Sequence, residues 1–309
     1  EEPGLDDGNE GALDEDSVVD SLFTGLRRNL AHVSEDVRFV EGDIRDVDTV
    51  RAACADGLDA IVLLAAMRSV PASFKDPARY YAVNLAGTQN VLQAAVDAKV
   101  PRVIFASSSS VYGDLDGGSM KEDVLGKRLS PYAISKYAGE DIVELYARVF
   151  GLETLSFRFF NVFGPRQNPN GQYATVIPIF VNQLLAAQRP TIFGDGEQAK
   201  DFTHVANVVQ GITLAVESEA GWKGERVNLA NGTPTSVNVL YHKIRALLGR
   251  EGIEPIRAPP RQGDARYSCA DTTKVESLVG YAPVKGFDEG LKETVEWFVA
   301  NPEYFDGAA

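Results

Sequence analysis

Two stretches of the sequence hold side chains that together can move a proton. Four consecutive serines occupy positions 107–110, directly after an apolar segment, and Tyr132 stands four residues before Lys136. A phenol titrates at about 10, so it acts as a base at neutral pH only where a cation favours the phenolate. On a helix Lys136 lies one turn from Tyr132 and can supply that cation, while a serine hydroxyl relays the proton. The pair alone is a weak signal, but the combination predicts proton abstraction from a carbinol as a hydride leaves.

The segments that must position these residues alternate between short β-branched runs and longer helical patterns. This alternation is typical of a doubly wound α/β fold, in which helices cover both faces of a parallel sheet. Because such sheets bind ligands beyond the carboxyl ends of their strands, the serine run would line a site there. The predicted strands are 17–20, 37–41, 60–64, 102–107 and 153–157. The predicted helices are 46–55, 78–98 and 132–150.

Composition divides the chain into a tail and two domains. Residues 1–16 carry eight of the acids and no base, which predicts an acidic flexible tail and leaves −6 of the net charge of −14 for the rest. No basic stripe is present to neutralise phosphates, so nucleic acid is not an expected partner. From residue 161 onward, Gly/Pro/Asn loops break up shorter elements. We therefore expect a first domain over 17–160, with a return segment at about 201–230, and a smaller C-terminal substrate domain over 161–200 and 231–309.

The compartment is predicted from what the sequence lacks. No apolar run approaches the roughly 18 residues of a membrane span, and the N-terminus has neither the basic nor the apolar part of a signal peptide. Two cysteines and three histidines are too few for a disulfide framework or a Cys/His zinc cluster. We expect a cytoplasmic protein with no metal site and no membrane contact.

The helices predicted at 78–98 and 132–150 carry apolar residues on more than one face. One face can pack on the sheet, and the other needs cover. Two interpretations are open, a wide core-facing stripe or a helix-pair interface between two copies of the chain. The second predicts a homodimer.

Taken in order from about Val18 to Phe298, the motifs resemble the extended short-chain dehydrogenase/reductases of the NAD-dependent epimerase/dehydratase type. Within that family they are most similar to the nucleotide-sugar 4-epimerases. The resemblance implies a Rossmann-type sheet, Tyr132 as the general base, Lys136 on the nicotinamide ribose and Ser108 as the catalytic hydroxyl. The matching motifs are Val18-Val19-Asp20, Thr24-Gly25, Arg28-Asn29-Leu30, Gly42-Asp43-Ile44, Ala65-Ala66, Asn84 to Thr88, the serine run, the Tyr/Lys pair, Arg158 to Gly164, Asp201-Phe202 and Arg261 to Asp264.

By the same resemblance the first domain binds NAD. Asp20 would bond the adenosine ribose, and Asp43 with Ile44 would flank the adenine. The rest of the implied cofactor set is Ala65, Ala66, Asn84, Tyr132 and Lys136.

The resemblance also implies the reaction and the substrate. Relatives that eliminate water or decarboxylate place an acid in the hydroxyl segment, whereas this chain has Ser109 and Ser110 there. That favours C4 epimerisation of a UDP-hexose through a 4-keto sugar. The residues implied in substrate binding are Ser108, Asn161, Tyr173, Lys200, Arg261, Asp264 and Ser268.

Ser268 bears on the choice of sugar, and Lys200 bears on binding of the diphosphate. Ser268 occupies the position where epimerases restricted to unacetylated hexoses carry a tyrosine, so a C2 acetamido group has room. The loop over 169–178 looks like that of epimerases accepting UDP-N-acetylglucosamine and unlike that of the glucuronate 4-epimerases. The family usually has arginine where this chain has Lys200. A lysine keeps the positive charge but lacks the forked donor geometry of the guanidinium.

One part of the family pattern is not found. The family begins with a strand, a glycine-rich turn and a helix whose N-terminus holds the cofactor pyrophosphate. Gly4, Gly8 and Gly11 precede Asp20 among acids, with no apolar strand before them, and are expected in the flexible tail. Three explanations of the missing unit are open: the native protein has residues that this sequence lacks, another segment fills the slot, or the chain does not hold NAD. The missing turn favours one alternative to the 4-epimerase, a non-catalytic UDP-sugar-binding protein. A second alternative is a UDP-glucuronate 4-epimerase.

Overall fold

The computed structural model describes residues 16–54, 57–113, 115, 118–169, 174–260 and 266–305. Its strands are β1 (Asp16–Asp20), β2 (Val37–Glu41), β3 (Ala60–Leu63), β4 (Arg102–Ser108), β5 (Glu153–Phe159), β6 (Thr191–Phe193), β7 (Ala199–Asp201), β8 (Lys223–Leu229), β9 (Pro234–Ser236), β10 (Ile256–Ala258) and β11 (Tyr267–Ser268). Its α-helices are α1 (Val47–Ala53), α2 (Val70–Lys75), α3 (Pro77–Tyr81), α4 (Thr88–Asp97), α5 (Pro131–Phe150), α6 (Val176–Leu185), α7 (Val205–Val216), α8 (Val237–Leu247), α9 (Thr273–Val279) and α10 (Phe287–Ala300).

The main sheet is parallel throughout, with strand order β3-β4-β5-β8. β1 pairs with β2, also in parallel, as a separate two-stranded sheet. Asn90 on α4 donates to the carbonyls of Ile44 (3.0 Å) and Arg45 (3.1 Å), so the loop after β2 is tied to the helices of the main sheet. The four strands of the main sheet therefore point their carboxyl ends at one edge, as the sequence predicts.

The side chains of β4 show why helices cover both faces of this sheet. Val103 and Phe105 pack with α4 and α5, whereas Ile104 between them packs with α7 and α9 on the other face. Successive residues of a strand point to opposite faces, so an uninterrupted apolar run is buried on both sides. The predicted doubly wound arrangement is confirmed.

A second lobe is built from α6, α8 and α10 with the short strands β6, β7, β9, β10 and β11. Its sheets are β10-β6 and β11-β7-β9, in which β9 runs antiparallel to β7. The helices pack around a core of their own, which includes Phe180, Leu184, Ile192, Leu240 and Phe298. No helix in the described ranges is long and apolar enough to cross a membrane.

The helix predicted over 78–98 is divided in the structure. α3 begins at Pro77 after the cap Asp76, whose carboxylate accepts from the Arg79 amide at 3.1 Å. A wider π-helical turn over Ala82–Gly87 then separates α3 from α4. Turns of this kind are frequent at functional sites. The wide turn carries Asn84, whose side chain bonds to two other segments.

Candidate active site

A cavity of about 770 Å³ lies at the carboxyl ends of the main-sheet strands, and the second lobe forms its other wall. Small-molecule sites typically enclose roughly 300–1,000 Å³. The predicted site residues that line the cavity are Ala66, Ser108, Tyr132, Lys136, Asn161, Lys200 and Ser268. The structure thus brings the three predicted catalytic residues together with four others from the predicted cofactor and substrate sets.

The start of α5 places Tyr132. The Ser130 side chain caps the helix by accepting from the Ala133 amide at 3.1 Å, and Pro131 occupies the first helical position. Tyr132 is therefore in the first turn, with 8% of its surface exposed. Its ring meets the ring of Tyr80 edge-on, with 6.3 Å between the centroids. The phenol is held at the cavity wall by a defined helix start.

Ser108 ends β4 beside this phenol. Its Oγ accepts from the Ser110 amide at 3.2 Å and is close enough to the Tyr132 phenol to lower the pKa of that phenol. The turn that follows closes at Gly113, where φ is +67° and a Cβ would lie 2.0 Å from the Lys127 carbonyl oxygen, so glycine is required. The hydroxyl and the phenol thus form the pair that the serine run and Tyr132 predict.

Burial raises the pKa of the Tyr132 phenol, because it disfavours the phenolate. The Ser108 hydroxyl and the positive charge of Arg68 lower that pKa. The phenol therefore depends on nearby donors and cations to act as a base.

Lys136 lies one turn further along α5 and is 3% exposed. Its ammonium donates to the Ala106 carbonyl at 2.7 Å and lies 5.0 Å from the centre of the Phe105 ring. Burial lowers the pKa of Lys136 from 10.5 to about 7, opposed by the negative charge of Glu140. The sequence predicts that Lys136 faces the cofactor ribose and the phenol. In the structure its ammonium donates to β4, and its role toward the ribose and the phenol stays a prediction.

This depressed pKa predicts how stability depends on pH. Between about pH 7 and 10.5 the unfolded chain holds a proton on Lys136 that the folded chain lacks, so the free energy of unfolding rises with pH. Relative to Lys136→Met, the free energy of unfolding of the wild type should rise by about 2 kcal/mol between pH 7 and pH 9. Urea unfolding at the two pH values measures this difference. Lys292→Met, which removes an exposed lysine of α10, should show no such pH-dependent difference. A constant gap between wild type and Lys136→Met would contradict the depressed pKa.

A buried ion pair fixes α5 against the sheet. The Glu140 carboxylate accepts from Arg158 Nε at 2.9 Å and Nη2 at 2.8 Å, and from the hydroxyl of Ser107. Both charged side chains are fully buried. Because Ser107 precedes Ser108 and Glu140 is two turns beyond Tyr132, this cluster sets the distance between the hydroxyl and the phenol.

Asn161 and Asp201 join the two lobes at the cavity. Asn161 has a positive φ of +32°, a conformation that Asn tolerates better than most residues, and its Nδ2 donates to the Asp201 carbonyl at 3.1 Å. The buried Asp201 carboxylate accepts from the amides of Asn231, Gly232 and Ala270 at 3.0–3.2 Å. Burial raises the pKa of Asp201 to about 6, against the lowering effect of those amides. Asp201 therefore anchors the loops that carry the substrate-side wall.

That wall presents hydroxyls to the cavity. Ser268 on β11 is 5% exposed and is the register partner of Lys200 on β7. The hydroxyls of Ser110, Thr175 and Ser268 are buried, and none has a hydrogen-bond partner among the residues described. All three residues line the cavity. Since buried polar atoms are normally hydrogen-bonded, these three are suited to a polar ligand.

The predicted adenosine-side residues Asp20 and Asp43 lie at and just beyond the ends of β1 and β2. Asp20 ends β1, and a Cβ at Gly25 would lie 3.0 Å from its carboxylate, so the glycine keeps that side of Asp20 open. Asp43 comes two residues after β2 and is ion-paired with Arg45 at 2.6 Å, which lowers the pKa of Asp43. A carboxylate at the end of such a strand suits ribose hydroxyls, so the donor set fits the adenosine half of a dinucleotide.

The remaining predicted cofactor residues are packed more deeply. Ile44 is buried against Gly87, where a Cβ would lie 2.6 Å from it. Ala65 is half-buried just beyond β3. Asn84 accepts from the Met67 amide at 2.8 Å and donates to the Met67 carbonyl at 3.0 Å. Asp20, Asp43, Ile44, Ala65 and Asn84 are not among the described lining residues, and their predicted contacts with the cofactor stay predictions.

Three predicted substrate residues, Tyr173, Arg261 and Asp264, lie outside the described residues. In contrast, Arg68 and Thr175 line the cavity without having been predicted. Arg68 follows β3, and Thr175 directly precedes the first turn of α6. No motif distinguishes either residue from an ordinary loop residue.

Comparison with known proteins places these features in one family. Residues 16–230 match the NAD dependent epimerase/dehydratase family. A UDP-glucose 4-epimerase of Mycolicibacterium smegmatis is 36% identical over 283 residues, which cover 91% of this chain and 89% of that protein.

Solved structures agree with the fold. The UDP-N-acetylglucosamine 4-epimerase of Methanobrevibacter ruminantium, in complex with UDP-N-acetylmuramic acid, has a TM-score of 0.86 and 33% identity over 92% of this chain and 90% of that one. A dTDP-glucose 4,6-dehydratase of Streptomyces venezuelae, with NAD bound, has a TM-score of 0.88 and 33% identity over 95% and 90%. The predicted family and its parallel α/β fold are thus confirmed, and the chain belongs to the NAD dependent epimerase/dehydratase family.

Proposed function

We propose that this chain is an NAD-dependent 4-epimerase of UDP-hexoses. The observation that carries the proposal is the composition of the cavity wall. Ser108 and Tyr132 both line it, together with the cations Arg68 and Lys200 and the amine of Lys136, and its described residues include no Asp or Glu. Cations suit a nucleoside diphosphate. Without a wall carboxylate to serve as a further acid or base, oxidation and re-reduction at C4 are favoured over elimination of water.

The residues present divide the reaction between them. Tyr132, as phenolate, takes the proton of the C4 hydroxyl, and Ser108 holds that hydroxyl and relays the proton. NAD, the cofactor of this family, supplies a hydride acceptor at C4 and then the hydride that returns to the opposite face. Lys136 is proposed to hold the nicotinamide ribose, and Asp20 the adenosine ribose. The 4-keto sugar must turn over between the two transfers.

We propose UDP-N-acetylglucosamine and UDP-glucose as substrates. Ser268 supports the first because a small, buried side chain without a described partner leaves both volume and a donor for an acetamido group. Both sugars occur in the names of similar 4-epimerases. The proposed contacts of the diphosphate are Asn161, Lys200 and Arg261.

The product from a panel of sugars tests this function. UDP-N-acetylglucosamine, UDP-glucose, UDP-glucuronate and dTDP-glucose would each be incubated with the protein and NAD, and the products read by NMR. We expect the C4 epimers of the first two. Preferred turnover of UDP-glucuronate would identify a glucuronate 4-epimerase, and a 4-keto-6-deoxy product from dTDP-glucose would identify a dehydratase. UDP binding without any product would support the non-catalytic alternative.

Ser268→Tyr tests the choice of sugar. The added ring would occupy the space proposed for the acetamido group, and overpacking typically costs about 1–3 kcal/mol, a factor of roughly 5–150. UDP-N-acetylglucosamine turnover should fall by about that factor while UDP-glucose turnover changes little. Ser268→Ala, which keeps the space, should leave the preference within a few-fold. Equal losses on both sugars in Ser268→Tyr would remove Ser268 as the gate.

We also propose a homodimer through α5 and the 78–98 segment. α5 exposes Ile134, Leu145 and Val149 at 47%, 41% and 59%, and their spacing puts them on one helical face. A two-fold axis would cover this face with its own copy. Light scattering should give twice the chain mass of 33.4 kDa at micromolar concentration. A particle with the mass of one chain would contradict the homodimer and show that the apolar face of α5 stays exposed to solvent.

The domain boundaries and the compartment remain proposals of the same kind. We propose a dinucleotide-binding domain over 17–160, with a return segment at about 201–230, and a sugar-binding domain over 161–200 and 231–309. The core around α6, α8 and α10 supports the second domain, whereas α9 packs in the core of the main sheet. Cys54 and Cys269 are both buried as free thiols, which supports a reducing cytoplasm.

A further inference from the structure

The loop between β1 and β2, residues 21–36, is held by segments that lie far from it in the sequence. Asn29 in this loop makes two side-chain hydrogen bonds. Its Nδ2 donates to the Arg166 carbonyl at 3.3 Å, and its Oδ1 accepts from the Tyr304 hydroxyl at 2.7 Å. Arg166 follows β5, and Tyr304 packs in the core of the second lobe after α10. One side-chain amide therefore joins three segments, and no step of the proposed reaction uses it.

The β1–β2 loop has further contacts with the same segments. The Thr24 carbonyl accepts from Asn168 Nδ2 at 3.0 Å, and the Arg28 guanidinium carbon lies 3.8 Å from the centre of the Tyr304 ring. Leu26 packs against the core of the second lobe. This part of the loop is thus held along its length by the segment after β5 and by the second lobe.

The same loop begins at Asp20 and sets the direction of its carboxylate. The Leu22 amide donates to Asp20 Oδ1 at 2.6 Å, and Leu22 has a φ of +53°. This backbone conformation is unfavourable for a leucine and persists only where surrounding contacts impose it. Gly25 passes the carboxylate so closely that a Cβ there would lie 3.0 Å from it. The direction of the Asp20 carboxylate therefore depends on how the start of the loop is held.

We propose that Asn29 is a positioning residue, through which the second lobe holds the β1–β2 loop and directs Asp20 at the hydroxyls of the adenosine ribose. A carboxylate that faces those hydroxyls accepts strong hydrogen bonds from them, whereas one that is turned aside loses these bonds to water. The cofactor site is then incomplete without the second lobe. This inference rests on the proposed function for the role of Asp20 in NAD binding, but it does not depend on which sugar is turned over.

The test compares the binding of NAD with that of an analogue whose adenosine half carries 2′-deoxyribose, by calorimetric titration. A hydrogen bond to a charged group should favour NAD in the wild type by roughly 10-fold or more. Asn29→Ala should reduce this preference to about 2-fold, as Asp20→Asn should, because the carboxylate no longer meets the 2′-hydroxyl. UDP affinity should stay within a few-fold. Tyr304→Phe keeps the ring beneath Arg28 and removes one of the two bonds of Asn29, so it should lower the preference in the same direction.

Asn238→Ala is the matched control. Asn238 on α8 is half-buried like Asn29, and its Nδ2 donates to the Asp195 carbonyl at 3.0 Å and to the Glu197 carboxylate. Both bonds lie within the second lobe, so their loss should leave the preference for NAD at the wild-type value. An equal drop in Asn238→Ala and Asn29→Ala would overturn the inference, since a general loosening of the second lobe would explain both.

The outcomes separate this inference from the proposed function. An unchanged preference in Asn29→Ala, or an equal weakening of NAD and the analogue, overturns the inference even if the C4 epimer is formed. A preference that is lost in Asn29→Ala, in a protein whose wild type makes no C4 epimer, supports the inference and rejects the 4-epimerase. Wild-type protein that binds both dinucleotides equally would overturn the inference alone, and one that binds UDP but neither dinucleotide would reject both.

Discussion

Replacing Tyr132 with phenylalanine is expected to lower epimerase turnover by roughly 10²-fold or more, while UDP binding stays within a few-fold. The phenol oxygen is the proposed base, and Tyr132 lines the cavity together with Ser108. The ring itself packs against Tyr80 and is kept in the variant. The loss should therefore fall on kcat and not on ligand affinity. Initial rates and UDP titrations on the same preparation measure the two quantities.

Tyr137→Phe is the matched control. Tyr137 lies five residues further along α5, half-buried beneath Arg128 at 3.8 Å, and is not among the described cavity residues. Loss of the Tyr137 hydroxyl should leave turnover within a few-fold of the wild-type rate. If Tyr132→Phe kept the wild-type rate, or if both variants lost the same activity, Tyr132 would not be the base.

Replacing Glu140 with glutamine is expected to lower the free energy of unfolding by about 3 kcal/mol or more. The carboxylate is the partner of Arg158, and neither side chain has any exposed surface. The amide keeps the shape of Glu140 but leaves the charge of Arg158 buried without a counter-charge. Urea unfolding at neutral pH measures the loss.

Glu144→Gln on the same helix separates this effect from a general weakening of α5. Glu144 is 46% exposed and bonds Arg226 at 2.6 Å, so its removal should cost about 1 kcal/mol or less. A similar loss of unfolding free energy in Glu140→Gln and Glu144→Gln would show that the buried ion pair contributes no more to stability than the exposed one.

Local patterns predicted the strands and the positions of the two proposed catalytic hydroxyl groups because these depend on nearby sequence. β2 has the predicted bounds, and β4 ends at Ser108, one residue beyond the prediction. Tyr132 follows its own cap and proline. In each case the residues that set the geometry are within a few positions of the residue they place.

Contacts between distant segments were beyond such patterns. The wide turn at Asn84 interrupts a helix that the apolar spacing predicts as continuous, and its bonds to Met67 and Ser135 span 17 and 51 positions. The partner of Lys136 is a backbone carbonyl of β4, which no motif specifies. The bonds of Asn29 to Arg166 and Tyr304 span 137 and 275 positions, so they depend on the folded chain as a whole.

The central claim is that C4 is oxidised and reduced again within one closed site. UDP-N-acetylglucosamine carrying deuterium at C4 tests it directly, because a hydride that leaves and returns to the same carbon carries its label back. The account predicts UDP-N-acetylgalactosamine with the deuterium still at C4 and none gained from solvent. A C4 epimer whose C4 hydrogen came from water would contradict it, as would a product that had lost water.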